Sequence, residues 1–171
     1  MGDEVMEKMA VYLHGTEIGS LCSDKGRLSF KYDDDYLKQE TAVPLSYSLP
    51  LTEEPYTGGI VAAYFSNLLP DESVRVRVAK YLGISAGNIF ALLKYIGEDC
   101  AGAVSLIPTG RAQKQSEHHT YRKLTEDEAH KILKSLPERP LYVGSEGFHI
   151  SGAGAQDKLV ACIQDGIISL P

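Results

Sequence analysis

The residues best suited to chemistry lie in one run, Ser151-Gly152-Ala153-Gly154-Ala155-Gln156-Asp157-Lys158. Four small residues follow a serine, and a lysine closes the run. Small side chains let backbone N–H groups approach an anion closely, so the run suits phosphate. Two glycine-rich solutions exist: the strand-to-helix P-loop with Gly-Lys-Ser/Thr, and the kinase hairpin that covers nucleotide phosphates. Leu159 follows Lys158, so the hydroxyl that would hold Mg²⁺ in a P-loop is missing. A plain tight turn is the competing reading, because glycine serves turns for conformational reasons alone. Ser151, taken by itself, reads as a strand-end hydroxyl bonded to local backbone.

Other polar residues resist assembly into a site. Asp33-Asp34-Asp35 is contiguous, whereas calcium loops space carboxylates on alternate residues and add a distant Glu. A solvated turn that caps the segment at Tyr36 is expected instead. His118 and His119 are adjacent, so an extended backbone points them apart and makes a poor chelating pair. Glu98 and Asp99 read as a solvated turn. Arg75, Arg77 and Lys80 read as the water-facing side of an amphipathic helix. Cys22, Cys100 and Cys162 are odd in number and widely spaced, which points to buried reduced thiols rather than a disulfide framework or zinc.

The elements that must position the run can be read from periodicity. Phe148 and Ile150 alternate with polar neighbours before it, residues 159–163 are nearly all apolar after it, and residues 167–170 form another apolar run. Asp165-Gly166 between the last two is a hairpin signal, which places the small-residue loop between strands of a β-meander. Earlier, residues 10–13, 17–22 and 27–32 read as strands, punctuated by His14-Gly15 and Asp24-Lys25-Gly26. Pro44, Pro50 and Pro55 bracket an extended segment at 45–49. Ile60, Ala63, Tyr64 and Leu68 then recur at helical spacing from Gly59. Asp71 starts a second helix with Val74, Val78, Tyr81 and Leu82 on one side and Gly83 as its stop. A short helix at 88–95, a loop at 97–102 and a strand at 103–107 follow. Thr125 and Glu128 make a capping-box pattern for a helix ending near Ser135.

Length and composition bound the rest. The chain has 171 residues, 23% of them charged, and a net charge of −6, which disfavours a broad nucleic-acid surface. Residues 1–8 are polar and acidic and read as a disordered leader with no signal-peptide core. No apolar run approaches membrane-spanning length.

The run Ile150 to Lys158 resembles the nucleotide-loop signature of the HipA family of serine/threonine kinases, toxins of bacterial toxin–antitoxin pairs. The likeness continues upstream, in order, through Pro44-Leu45-Ser46-Tyr47-Ser48-Leu49-Pro50-Leu51, Phe65-Ser66-Asn67-Leu68-Leu69-Pro70-Asp71 and Ile96-Gly97-Glu98-Asp99-Cys100-Ala101-Gly102-Ala103-Val104. It implies an α+β fold: an antiparallel β-meander or small barrel-like subdomain with a helical insert at 9–108, and a linker or long loop at 109–120. The start of a kinase-type amino lobe follows at 121–171, a β-hairpin with the Gly-rich loop. It implies that Ala153, Gly154, Ala155, Gln156, Asp157 and Lys158 contact nucleotide phosphates and that Ser151 is the autophosphorylated serine.

ATP and Mg²⁺ are implied for the complete kinase, with neither held tightly by this chain alone. Implied partners are a HipB-like DNA-binding antitoxin, the remainder of the kinase or a separate kinase chain, and a protein substrate such as glutamyl-tRNA synthetase, all in the cytoplasm. No catalytic residue or metal ligand is expected here: beyond Lys158 the chain offers no Lys or Arg, and its one carboxylate is Asp165. A stand-alone binding module that restrains a separate kinase is the second reading.

Overall fold

The computed structural model describes residues 6–98, 100, 103–110, 121–145 and 158–170. Alternating burial builds its first layer. In β1 (Glu7–Leu13) Met9 and Val11 face inward, in β2 (Thr16–Asp24) Ile18 and Leu21, and in β3 (Arg27–Tyr32) Leu28, Phe30 and Tyr32. The turns His14-Gly15 and Lys25-Gly26 have positive φ at both residues, a geometry whose twist matches that of the strands it joins. β4 (Tyr56–Thr57) extends the meander, and β5 (Val104–Pro108) returns beside β1, giving an antiparallel sheet in the order β4-β3-β2-β1-β5.

A register shift opposite Tyr12 leaves Ile18 between two paired residues, and the Asp33 N–H donates to the Ile18 carbonyl at 2.9 Å. Beside it, a Cβ on Gly19 would stand 2.2 Å from the Lys31 carbonyl oxygen. Only glycine lets β2 and β3 approach so closely.

The helical insert comprises α1 (Asp34–Leu37), α2 (Gly59–Ser66), α3 (Glu72–Leu82) and α4 (Ile89–Ile96). Their buried side chains meet the sheet around Phe30, whose ring lies 4.8 Å from Tyr32 edge-on and 5.8 Å from Phe65. A second, smaller sheet, β6 (Arg122–Lys123), β8 (Ile167–Leu170) and β7 (Cys162–Gln164), has the order β6-β8-β7. With α5 (Glu126–Ser135) it encloses Leu124, Ala129, Ile132 and Leu170. A 3-10 turn at Pro140–Tyr142 leads back to the first core, where Leu141 and Val143 are buried.

Several expectations need correction. β1 starts at Glu7, inside the expected leader, because Glu7 pairs with Ser23 in the ladder and its carboxylate meets Lys94 Nζ at 2.8 Å. Thr109, expected in the linker, donates from both N–H and hydroxyl to the Lys8 carbonyl. Among the described residues the larger sheet is open, with β4 and β5 as its edges, so it is no barrel. α2 buries Val61 and Phe65 while Ile60 is 41% exposed; its apolar run has no polar face to mark the phase. β7 begins at Cys162 rather than Leu159, and β6 was not expected at all. Cys100 is buried, whereas Cys22 and Cys162 are half-buried; none of the three is in a disulfide.

The basic residues of α3 also differ from expectation. Arg75 is half-buried, and its Nη2 reaches the carbonyls of Ser66 (3.5 Å) and Pro70 (3.3 Å). Arg77 Nη1 donates to the Pro137 carbonyl at 3.1 Å, across to the second unit. Lys80 alone of the three is exposed. Loop carbonyls lie within reach of the two guanidiniums, and their bonds outweigh full hydration there.

Candidate functional site: the flanks of the glycine-rich run

Ser151, Ala153, Gly154, Ala155, Gln156 and Asp157 lie outside the described residues, as do Asp99, His118 and His119. Lys158 is described, half-buried, at the start of the stretch that leads into the small sheet. Leu159 packs against the second core, fixing the chain directly beyond the lysine. The β7–β8 hairpin then turns at Asp165 (φ 51°) and Gly166 (φ 76°), as the Asp-Gly signal requires. Asp165 sits exposed at that turn. Among the described residues no group of three or more His, Cys, Asp or Glu is arranged to hold a metal ion.

On the other flank, α5 is anchored by its capping box. Thr125 Oγ1 accepts from the Glu128 N–H (3.2 Å), and Glu128 Oε2 accepts from the Thr125 N–H (2.9 Å). Arg122 of β6 adds an ion pair to Glu128 at 3.1 Å. The backbone N–H of Thr125, with its hydroxyl and then Arg122, holds the Glu128 carboxyl below its ordinary range. Beyond α5, Arg139 binds the chain on its way to residue 146. Its Nε donates to the Val143 carbonyl and its Nη2 to Ser145 Oγ, both at 2.6 Å.

The upstream motifs are held by hydroxyl groups that sequence reasoning missed. Tyr32 OH donates to the Leu49 carbonyl (2.5 Å) and accepts from the Leu45 N–H (2.7 Å). Tyr36 closes both a donor and an acceptor bond on Val43, and Tyr56 OH reaches the Pro50 carbonyl. The segment expected to be extended is therefore a tight turn, bridged Ser46 to Leu49, with Tyr47 fully exposed at its tip. In the third motif the Leu106 N–H donates to the Gly97 carbonyl at 2.7 Å, and a Cβ on Gly97 would stand 2.4 Å from Leu93 O. Glu98, expected in a solvated turn, is half-buried.

A cleft of about 980 Å³ lies elsewhere, between the β2–β3 turn and the first residues of α2 and α4. Arg27, Gly58, Gly59 and Asn88 are among its lining, and among the described residues none beyond Phe90 contributes. No helix among the described residues is long and apolar enough to cross a membrane.

A family model described as "HipA N-terminal domain" matches residues 9–107. "Putative kinase Y4mE" of Sinorhizobium fredii is 39% identical over 165 residues, covering 94% of this chain and 39% of its own length. "Serine/threonine-protein kinase toxin HipA" of Shewanella oneidensis is 29% identical, covering 88% of this chain and 34% of its own. The chain thus spans little more than a third of these relatives. A Haemophilus influenzae chain described only as "Uncharacterized protein" is 31% identical over 96 residues, covering 56% of this chain and 87% of its own length.

Proposed function

The chain belongs to the HipA N-terminal domain family, and from that premise we propose that it is the amino-terminal part of a HipA-like serine/threonine kinase of a toxin–antitoxin pair. Residues 7–109 form the first subdomain in this reading, 110–120 the linker, and 121–171 the start of the kinase amino lobe. Ala153 to Lys158 cover the phosphates of Mg²⁺–ATP, and Ser151 is the autophosphorylation site. A dianionic phosphate on Ser151 would compete with nucleotide for the same field and space. A HipB-like antitoxin, a protein substrate and a cytoplasmic setting belong to the complete enzyme.

One observation carries this reading: the likeness to the S. fredii protein continues well past residue 107. The uncovered 6% of the chain is about ten residues, fewer than the thirteen that follow Lys158, so the shared stretch includes the glycine-rich run. Phosphoryl transfer also needs a lysine on a following strand, a catalytic Asp and Mg²⁺ ligands, and residues 159–171 supply none. The purified chain is therefore expected to transfer no phosphate from Mg²⁺–[γ-³²P]ATP; incorporation that depends on Mg²⁺ and on Lys158 would overturn this division of labour.

The second reading, a stand-alone module restraining a separate kinase, is favoured by the H. influenzae relative. Its match of 96 residues at 87% implies a chain of only about 110 residues. The coding frame downstream of Pro171 separates the two. Codons running on into a kinase core support the first reading, and a stop followed by a separate kinase gene rejects it.

A further inference from the structure

We propose that the contact between the two units is a docking interface in its own right: a seat on α3 grips residues 137–144 and holds the second unit without help from the covalent link. Each unit has a core of its own, one around Phe30 and one made of Leu124, Ala129, Ile132 and Leu170. Thr109 is tied back to the Lys8 carbonyl, so the first unit keeps its last strand to its end. What crosses between the units is short. Leu141 and Val143, 8% and 1% exposed, come from beyond α5 yet join the cluster that holds Val74, Val78 and Ala79 of α3.

Directed contacts surround those two anchors. Arg77 Nη1 donates to the Pro137 carbonyl at 3.1 Å, at one end of the segment. At the other end Gly144 lies so close to Tyr81 that an added Cβ would stand 3.4 Å from the ring. The Arg139 guanidinium rests over the same ring, 5.2 Å from its centroid, while its Nε holds the Val143 carbonyl. Arg77 and Tyr81 are four residues apart, so α3 presents both on one face. Apolar anchors inside a rim of arginine and tyrosine contacts are the make-up of an interface hot spot.

The gripped segment also carries its own shape. Leu141 (φ 57°), Tyr142 (φ 52°) and Gly144 (φ 79°) occupy the left-handed region, and the Arg139–Val143 bond closes the bend from within. A segment already bent loses less freedom on docking, which favours attachment without a tether. Use of the seat by a separate chain rests on the second reading above, whereas the seat itself rests on contacts within this chain. The H. influenzae relative is shorter than the two units together. Any 96 consecutive residues of a 171-residue chain include 76–96, and so the end of α3 and all of α4.

Cutting the folded protein tests this. A protease recognition sequence is placed between Gly110 and Tyr121 of the full chain and cleaved after folding. The two pieces should elute as one species from a sizing column at micromolar concentration. Val143→Ala and Tyr81→Ala should each raise the dissociation constant of the pieces at least tenfold. Tyr81 is 47% exposed, so its variant serves if Val143→Ala folds poorly. Val76→Ala, at a half-exposed position of the same helix, should change the constant less than twofold. Pieces that part on the column would overturn the proposal, as would Val143→Ala and Tyr81→Ala pieces held as tightly as the parent's. A failure here leaves the kinase-fragment reading standing, because the coding frame beyond Pro171 decides that one. Conversely, pieces that hold together do so whichever way the frame reads.

Discussion

Deleting one oxygen from Tyr32 would leave two backbone groups, the Leu45 N–H and the Leu49 carbonyl, without their buried partner. Each such group costs about 1–3 kcal/mol. Tyr32→Phe is therefore expected to lose about 2–4 kcal/mol in urea unfolding, with the ring packing against Phe30 retained. Burial pushes the Tyr32 phenol up to about 12, against an ordinary value of 10.0. The fold thus favours the neutral phenol. Its contribution is complete below pH 10 and is lost as pH rises from 10 to about 12. Unfolding midpoints should fall across that window, and less steeply in Tyr32→Phe. The position of Tyr32 on a strand is legible from alternation. The use of its hydroxyl is not, because its partners lie in a turn that only the folded chain brings near.

Local grammar was readable wherever all the partners sit within a few residues. The capping box of α5 is such a case, since Thr125 and Glu128 satisfy each other. Thr125→Ala should lower stability by about 1 kcal/mol, seen as a reduced melting temperature of the second unit. The folded state holds the Glu128 carboxyl below its ordinary range, so the cap is complete above the ordinary Glu value and weakens as pH falls through the lowered one. The gap between parent and Thr125→Ala should accordingly narrow in acid. β6 shows the opposite situation: Arg122-Lys123 becomes a strand only by pairing with Leu170 and Ser169. Likewise the guanidiniums of α3 find carbonyls of loops that periodicity cannot place. In the candidate site, the strands after the glycine-rich run were legible from Asp165-Gly166, and the arginine that ties down its other flank was not.

At the scale of the molecule, the first core does not close within residues 9–107. Val143, only 1% exposed, belongs to it although it lies past α5. Val143→Ala should cost about 2 kcal/mol, and near-ultraviolet signals from the Phe30–Tyr32–Phe65 group should report it even though the substitution lies past the linker. No motif in the sequence announces this seat, because Val143 is one apolar residue in a Pro- and Gly-rich stretch. The small sheet has a consequence for handling the protein. Among the described residues β7 pairs with β8 alone, and Ile163 on it is 70% exposed. A greasy side chain this exposed on a strand invites adhesion between copies. Light scattering of concentrated samples should show growing particle size, and Ile163→Lys should keep the solution monodisperse while leaving the melting temperature in place.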